Sequence, residues 1–315
     1  MKIVHLSDTP LSAAPYRLMK VQRIAGMDAR LVCGVDTFGG RARLPWQDLL
    51  VSHNTRDEVV RLLNEADIIH IHNRWLNQKI FRLWPECLSI VNKKPKVLQY
   101  HSPRDSLMKD TPSSFALNCP KLVVAQYHVR LYPEATPVPN VVPIDDVWHT
   151  PEHTAPEHTP LRVCFSPSSF SDRGWDNKGY VATKAVLRAM SSIEHKIFHG
   201  LELPTLLLQR KGYHVSIDEV MTGSYHMVSL EALSQGQVAI ANLDAKTIDA
   251  LEIVTGTREH PWVIANIKNL REVLNRLDKD RDLLQTQCKL GRSYMEKYWD
   301  PFRVANLYKE AYKHA

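Results

Sequence analysis

Residues 222–242 read TGSYHMVSLEALSQGQVAIAN, and this stretch decides the fold. Gly223 and Ser224 open a flexible loop. Leu230, Glu231, Ala232 and Leu233 follow as helix, Gly236 stops it, and residues 238–241 form an apolar strand. A helix start fed by such a loop offers unpaired backbone N–H groups and the positive end of a dipole, which suits phosphate oxygens. Ser224, Tyr225, His226, Met227 and Val228 form the approach to that helix. Glu231, in its second turn, is placed to accept hydrogen bonds from ribose hydroxyls. By spacing alone, the same residues are an ordinary loop–helix–strand unit with a solvated glutamate.

Outward from this unit, the same alternation fills most of the chain. Strands are expected at residues 162–166, 196–198, 215–218, 238–241 and 262–265, with helices at 179–190, 203–210 and 228–234. The first half repeats the pattern, with strands at 3–6, 29–33, 68–72, 97–101 and 122–125 and a helix at 57–65. Strand and helix taken in turn imply parallel sheets with helices on both faces. Between the halves, Pro133, Pro137, Pro139 and Pro143 precede residues 150–160, TPEHTAPEHTP. So much proline continues neither a helix nor a central strand. It reads as a solvated hinge, with metal binding through His153 and His158 the weaker alternative. The expected architecture is α/β: two doubly wound Rossmann-like domains facing across a cleft. The domains are 1–148 and 161–300, the linker is 149–160, and a final helix at 301–315 crosses back to the first domain. In such sheets a ligand sits beyond the carboxyl ends of the strands.

Composition narrows the classes. The chain has 315 residues, 44% hydrophobic and 23% charged, which is ordinary for a globular protein. No apolar run is long enough to span a bilayer. The N-terminus, MKIVHLSDTP, lacks the apolar core of a signal peptide, so a cytoplasmic protein is expected. The five cysteines are scattered and the fifteen histidines form no spaced ligand set, so no metal is expected. Net charge is +6, and residues 1–145 supply it with 19 Lys/Arg against 13 Asp/Glu. A basic half attracts anionic partners, whether a membrane surface, nucleic acid or a phosphorylated acceptor.

The 222–242 stretch resembles the donor-site signature of the family-four retaining glycosyltransferases, which have the GT-B fold. That signature is a Glu, seven residues, a second Glu, then Ala, an apolar residue and a Gly before a strand. Glu231 matches the second Glu, and Ala232, Leu233, Gly236 and Val238 continue the match. Gly223 stands where the family has its first Glu, which approaches the donor sugar. Residues 166–179, SPSSFSDRGWDNKG, follow the first strand of the second half. Here the resemblance assigns Arg173 and Lys178 to the donor diphosphate, with Ser166 at the strand end. Residues 8–14, DTPLSAA, resemble the family's small-residue loop beneath the donor phosphates, with Ser12 and Ala13 at its centre. His101 ends a strand where the family has a histidine near the reacting centre. His72, Arg74 and Trp75, just past the 68–72 strand, fall on the acceptor side. Residues 139–142 and 299–312 resemble the turn before the linker and the returning C-terminal helix.

The resemblance implies a hexosyltransferase using a nucleoside diphosphate sugar, often a UDP-sugar. It implies retention and no metal, with His101, Lys178 and Arg173 as the catalytic set. The expected acceptor is a glycolipid or saccharide. The basic first half, with Arg74, Trp75, Lys79, Arg82 and Trp84, would then rest on the inner face of a membrane. A hydroxylated base in DNA is the alternative acceptor. Rival classes are a sugar-nucleotide epimerase and a catalytically inactive nucleotide-sugar binding protein.

Overall fold

The computed structural model describes residues 1–36, 48–76, 78–102, 117–151, 160–167 and 178–315. The chain divides into two compact units, Met1–Pro143 with Pro301–Ala315, and Ile144–Asp300. The second unit thus begins before the expected linker. Arg292 of that unit holds this segment, donating through Nη1 to the carbonyls of Ile144, His149 and Ser234 at 3.2, 3.1 and 2.8 Å. Residues 152–159 of the PEHT repeat, with His153 and His158, lie outside the described residues.

The first unit holds a seven-stranded sheet. In chain order its strands are β1 (Lys2–Ser7), β2 (Asp28–Cys33), β3 (Leu49–Leu50), β4 (Ile68–His72), β5 (Lys96–Tyr100), β6 (Lys121–Val124) and β7 (Thr136–Val138). Their spatial order is β3-β2-β1-β4-β5-β6-β7, and every pairing is parallel. The chain leaves β1 toward β2 and returns to β4 on the other side, so the β1/β4 crossover is the place this topology offers a ligand. Helices α1 (Ala14–Ile24), α2 (Arg56–Glu65), α3 (Lys79–Leu83) and α4 (Pro85–Asn92) cover the sheet. The prolines at 133–143 do not break the sheet as expected. Pro137 sits in β7, the edge strand, where a missing N–H costs no ladder bond on the open side.

The two faces of this sheet differ. Val4, Leu6, Ile69, Ile71, Leu98 and Tyr100 alternate onto one face and join Val59, Leu63, Trp75, Phe81 and Trp84 in the apolar core. His5, His70, His72 and Gln99 alternate onto the other and are as deeply buried. Parallel register sets His5 opposite His70, and His72 opposite Gln99.

The second unit has five parallel strands: β8 (Leu161–Phe165), β9 (Ile193–Ile197), β10 (Val215–Glu219), β11 (Val238–Ala241) and β12 (Val263–Ile264). Their order is β12-β11-β10-β8-β9, so its crossover lies between β8 and β10. Strand β9, IEHKI, begins before the expected 196–198. Its charged side chains stand exposed on an edge strand, which hides it from a search for apolar runs. Helices α5 (Tyr180–Arg188), α6 (Leu203–Arg210), α7 (Met227–Ser234), α8 (Ala245–Thr255), α9 (Leu270–Lys279) and α10 (Arg281–Tyr298) complete the unit. The last helix, α11 (Pro301–Tyr312), belongs to the first unit and buries Tyr308 and Tyr312 there.

Candidate active site

Backbone strain marks both crossovers. The described non-glycine residues with left-handed φ are Leu11, Ser12, Ala13, Asn73 and Lys178, at +47°, +54°, +66°, +61° and +53°. The first three follow β1, Asn73 follows β4, and Lys178 lies between β8 and α5. L-residues are held in this region only where surrounding structure over-determines them, and such positions cluster at functional sites.

In the second unit, β10 ends in two acidic residues, Asp218 and Glu219, both fully buried. Asp218 Oδ1 accepts from Lys178 Nζ at 2.9 Å. Its Oδ2 accepts from the Ser229 hydroxyl at 2.7 Å and from the His226 backbone N–H. Burial alone would raise the Asp218 carboxyl. The charge of Lys178 and the contacts with His226 and Ser229 outweigh it and hold the group well below the usual carboxylate range. Glu219 fixes the loop that follows, accepting from Met221 N at 3.1 Å, Thr222 Oγ1 at 2.8 Å and Ser224 N at 3.1 Å. Lys178 and the start of α7 are thereby brought to one place, with Ser166 at the end of the neighbouring β8. The Ser166 hydroxyl is buried and makes no hydrogen bond among the described residues.

Other expected donor residues divide. Glu231 is buried and pairs with Arg210, Oε2 to Nη1 at 2.8 Å. Arg210 also donates to Ser216 Oγ at 3.2 Å and to the Val228 carbonyl at 2.7 Å. Glu231 therefore ties α7 to α6 as well as standing in the second turn of α7. Tyr225 is wholly buried with its ring 4.7 Å from Trp262. Met227 and Val228 are half-buried at the first turn of α7. Gly223 has φ +80°, and a Cβ there would lie 2.7 Å from Asp244 Oδ2. The departure from the first-Glu pattern thus has a structural basis, since the Asp244 carboxylate fills the space a side chain would need. Arg173 lies outside the described residues.

In the first unit, the loop after β1 carries Ser12 exposed and Ala13 buried. Asp8 accepts from the Lys79 backbone N–H at 2.8 Å, and Arg74 Nη1 lies 3.8 Å from its carboxylate. Trp75 packs edge-on against Phe81, 5.5 Å between centroids, and Trp84 is buried beside it in the core. This corrects the expectation of a surface of tryptophans resting on a membrane. Asn73 joins the ends of β4 and β5: its Oδ1 accepts from His101 N at 2.6 Å, and its Nδ2 donates to Ser102 Oγ at 3.0 Å.

His72 and His101, expected separately, are linked, Nδ1 to Nε2 at 2.8 Å. His72 Nε2 meets His5 Nδ1 at 3.0 Å, and His5 Nε2 meets Gln22 Oε1 at 2.7 Å. Gln22 Nε2 donates to Tyr312 OH at 2.7 Å, which lies 2.8 Å from His70 Nδ1. Burial lowers all four imidazoles: His5 to about 4 and His101 to about 3, with His70 and His72 also far down. They are neutral at physiological pH. His5, His70 and His72 bring ring nitrogens within 4.8 Å of one another. The His70 and His72 rings are stacked, 4.4 Å apart at 11°, so lone pairs in the ring planes do not converge on one ion.

Sequence reasoning missed Asp218, Glu219, His5, His70 and Gln22. Two acidic residues closing the apolar run VSI were a legible signal, since carboxylates are seldom fully buried without partners. The histidine cluster had none in spacing, because three separate strands assemble it.

No family model matches the chain, and no curated protein is similar to it in sequence. Solved structures are similar in fold. An alpha-glucosyltransferase in complex with UDP-glucose and DNA containing an abasic site has a TM-score of 0.70 at 10% identity, covering 98% of each chain. A glycosyltransferase from Rickettsia africae scores 0.60 at 12% identity over 99% of this chain and 97% of that one. Sucrose-phosphate synthase from Thermosynechococcus elongatus scores 0.59 at 11% identity over 99% and 98%. The chain carries the two Rossmann-like domains of the GT-B glycosyltransferases. Among the described residues, no helix is long and apolar enough to cross a membrane.

Proposed function

We propose that the protein is a glycosyltransferase that takes a sugar from a UDP-sugar and passes it to an acceptor hydroxyl. One observation carries this reading: Lys178, in a strained left-handed conformation at the β8/β10 crossover, holds its ammonium against Asp218 beside the start of α7. A departing nucleoside diphosphate gains negative charge as the glycosidic bond breaks, and a pre-positioned cation stabilises it. An ammonium has three donors, so Lys178 can keep Asp218 and still donate to a phosphate oxygen. Transfer then proceeds with retention and without a metal, the diphosphate itself taking the acceptor's proton. Lys178 acts on the leaving group and His101 on a substrate hydroxyl.

For the acceptor, a hydroxylated base in DNA is favoured over a glycolipid or saccharide. The basic excess of residues 1–145 suits a polyanion, and the burial of Trp75 and Trp84 removes the aromatic residues a membrane surface would have used. The near full-length fold likeness to a glucosyltransferase holding DNA is consistent with this choice.

The test is a thermal-shift panel of nucleoside diphosphates and UDP-sugars, with and without magnesium, followed by transfer from labelled UDP-sugar. A ligand at a hundred times its Kd stabilises the fold by about 2.7 kcal/mol, a Tm rise of several degrees. Label on DNA bearing hydroxylated bases supports the full reading, whereas label on a glycolipid or saccharide alone overturns the acceptor. Interconversion of free UDP-sugars would make the protein an epimerase. No shift with any nucleotide removes the donor site.

A further inference from the structure

The buried face of the first sheet is a single line of hydrogen bonds, His101–His72–His5–Gln22–Tyr312–His70. In a neutral imidazole one nitrogen donates and the other accepts, so each link fixes the next. The direction starts at Gln22. Its amide nitrogen faces Tyr312 and its oxygen faces His5. His5 therefore carries its proton on Nε2, which leaves Nδ1 as an acceptor. His72 must then donate from Nε2 to His5 and accept at Nδ1. His101, whose Nε2 meets that Nδ1, must donate from Nε2. Its Nδ1 is left as a bare lone pair, and this atom is buried without a hydrogen bond among the described residues.

At the other end, Tyr312 accepts from Gln22 and its own O–H is available to His70 Nδ1, the arrangement in which His70 carries its proton on Nε2. Gln99 donates from Nε2 to Tyr308 OH at 3.1 Å, and its amide oxygen, like His70 Nε2, is buried without a hydrogen bond among the described residues. The Gln22 amide therefore gives the line its sense.

We infer that Gln22, His5 and His72 are positioning residues that hold His101 as the neutral Nε2–H tautomer, so that Nδ1 accepts a hydrogen bond from a hydroxyl of the substrate. The placing of His101 at substrate rests on the glycosyltransferase reading, while its tautomer does not. Backbone anchoring to Asn73 Oδ1 holds the residue at the end of β5, and the line of imidazoles holds its ring. A reversed line would present N–H to the same hydroxyl.

The experiment is a long-range proton–nitrogen NMR correlation on the full chain labelled at histidine, with resonances assigned by single His→Gln variants. In the wild type, His101 Nδ1 is expected at the unprotonated imidazole position and Nε2 at the protonated one, with His70 protonated at Nε2. A protonated Nδ1 on His101 overturns the inference without any variant. In Gln22→Leu, His5 Nε2–H loses its acceptor, and the line relaxes toward the reverse sense. The His101 Nδ1 signal should move to the protonated position, and kcat should fall about tenfold with the donor KM unchanged. Tyr312→Phe, which frees the Gln22 amide and removes the hydroxyl from His70 Nδ1, should give a mixture of both tautomers at His101 and is the variant to use if Gln22→Leu does not fold. An unmoved His101 spectrum in the folded variant overturns the relay. A wild type with the expected tautomers but no turnover of any UDP-sugar leaves the relay standing and sinks the glycosyltransferase reading instead.

Discussion

The two units use the same parallel architecture but make their crossovers polar in opposite ways. The first buries His5, His70, His72, the Gln22 and Gln99 amides and the Tyr308 and Tyr312 hydroxyls, all neutral, with the half-buried His101 at the end of the line. The Arg17 guanidinium is its one buried cation among the described residues. The second buries ions: Lys178 with Asp218 at 2.9 Å, and Arg210 with Glu231 at 2.8 Å. A site that must meet a diphosphate needs fixed charge, and charge can be kept in an interior only when paired. A site that must orient an uncharged hydroxyl needs donors and acceptors of defined sense, which neutral groups supply without the larger desolvation cost of ions. Under the proposed function, this difference is what a leaving-group side and a hydroxyl side would each require.

Acid should separate them most strongly. The folded-state values of the four first-unit imidazoles lie below the unfolded value of about 6.5, so the unfolded chain binds more protons as pH falls. Their contribution is complete above about pH 6.5 and is lost progressively down to the folded values, which are about 4 for His5 and about 3 for His101. For His5 alone the loss is about 3 kcal/mol by pH 4, and His70, His72 and His101 act in the same direction. In the second unit, His214, lowered to about 4 by burial, and His260, also lowered by burial, add two such groups among the described residues. The Asp218 contribution, present above its ordinary carboxylate value, is lost only in stronger acid. Hydrogen exchange at pH 7 and pH 5, corrected for intrinsic rates, should show β1, β4 and β5 opening before β8 and β10. Opening in the reverse order would break the comparison.

Next in size is the ionic pair. Arg210→Met leaves Glu231 buried without its cation and should cost ~3–5 kcal/mol in urea unfolding. Adding Glu231→Leu should recover most of that loss, because a paired charge and a packed apolar pair differ far less than either differs from an orphaned charge. If the double variant is no more stable than the single one, the pair is not what holds α7 to α6. The double variant also tests function. Lost nucleotide binding in a stably folded protein would show that Glu231 reaches the ribose as well as Arg210.

What the sequence disclosed and what it hid follow the same line. Strands such as Ile68–His72 and Val238–Ala241 were legible from unbroken apolar runs, and α7 was legible from its flanking glycines. Leu49–Leu50 was not, because two residues carry no period. Lys178 was found through a resemblance, but its partner Asp218 is forty residues away and meets it only because β8 and β10 are neighbours. The histidines of IIHIH were visible as a strand end. That His5 completes them depends on parallel register, which no local pattern encodes. Trp75 and Trp84 misled because an aromatic residue at a strand end or helix start reads as surface until its place in the apolar core, and the packing of Phe81 against Trp75, are known.

The smallest effect should come from Tyr308, and it measures the neutral side of the comparison on its own scale. Its hydroxyl accepts from Gln99 Nε2 at 3.1 Å and donates to the Pro139 carbonyl at 2.9 Å, in a ring that is almost wholly buried. Tyr308→Phe keeps the ring and removes both bonds, leaving one buried donor and one buried acceptor without partners. The expected cost is about 1–3 kcal/mol, below that of Arg210→Met because no unpaired charge remains. A loss as large as that of Arg210→Met would mean that the neutral network stabilises the first unit as strongly as paired charges stabilise the second, and the contrast between the two units would then be one of chemistry alone.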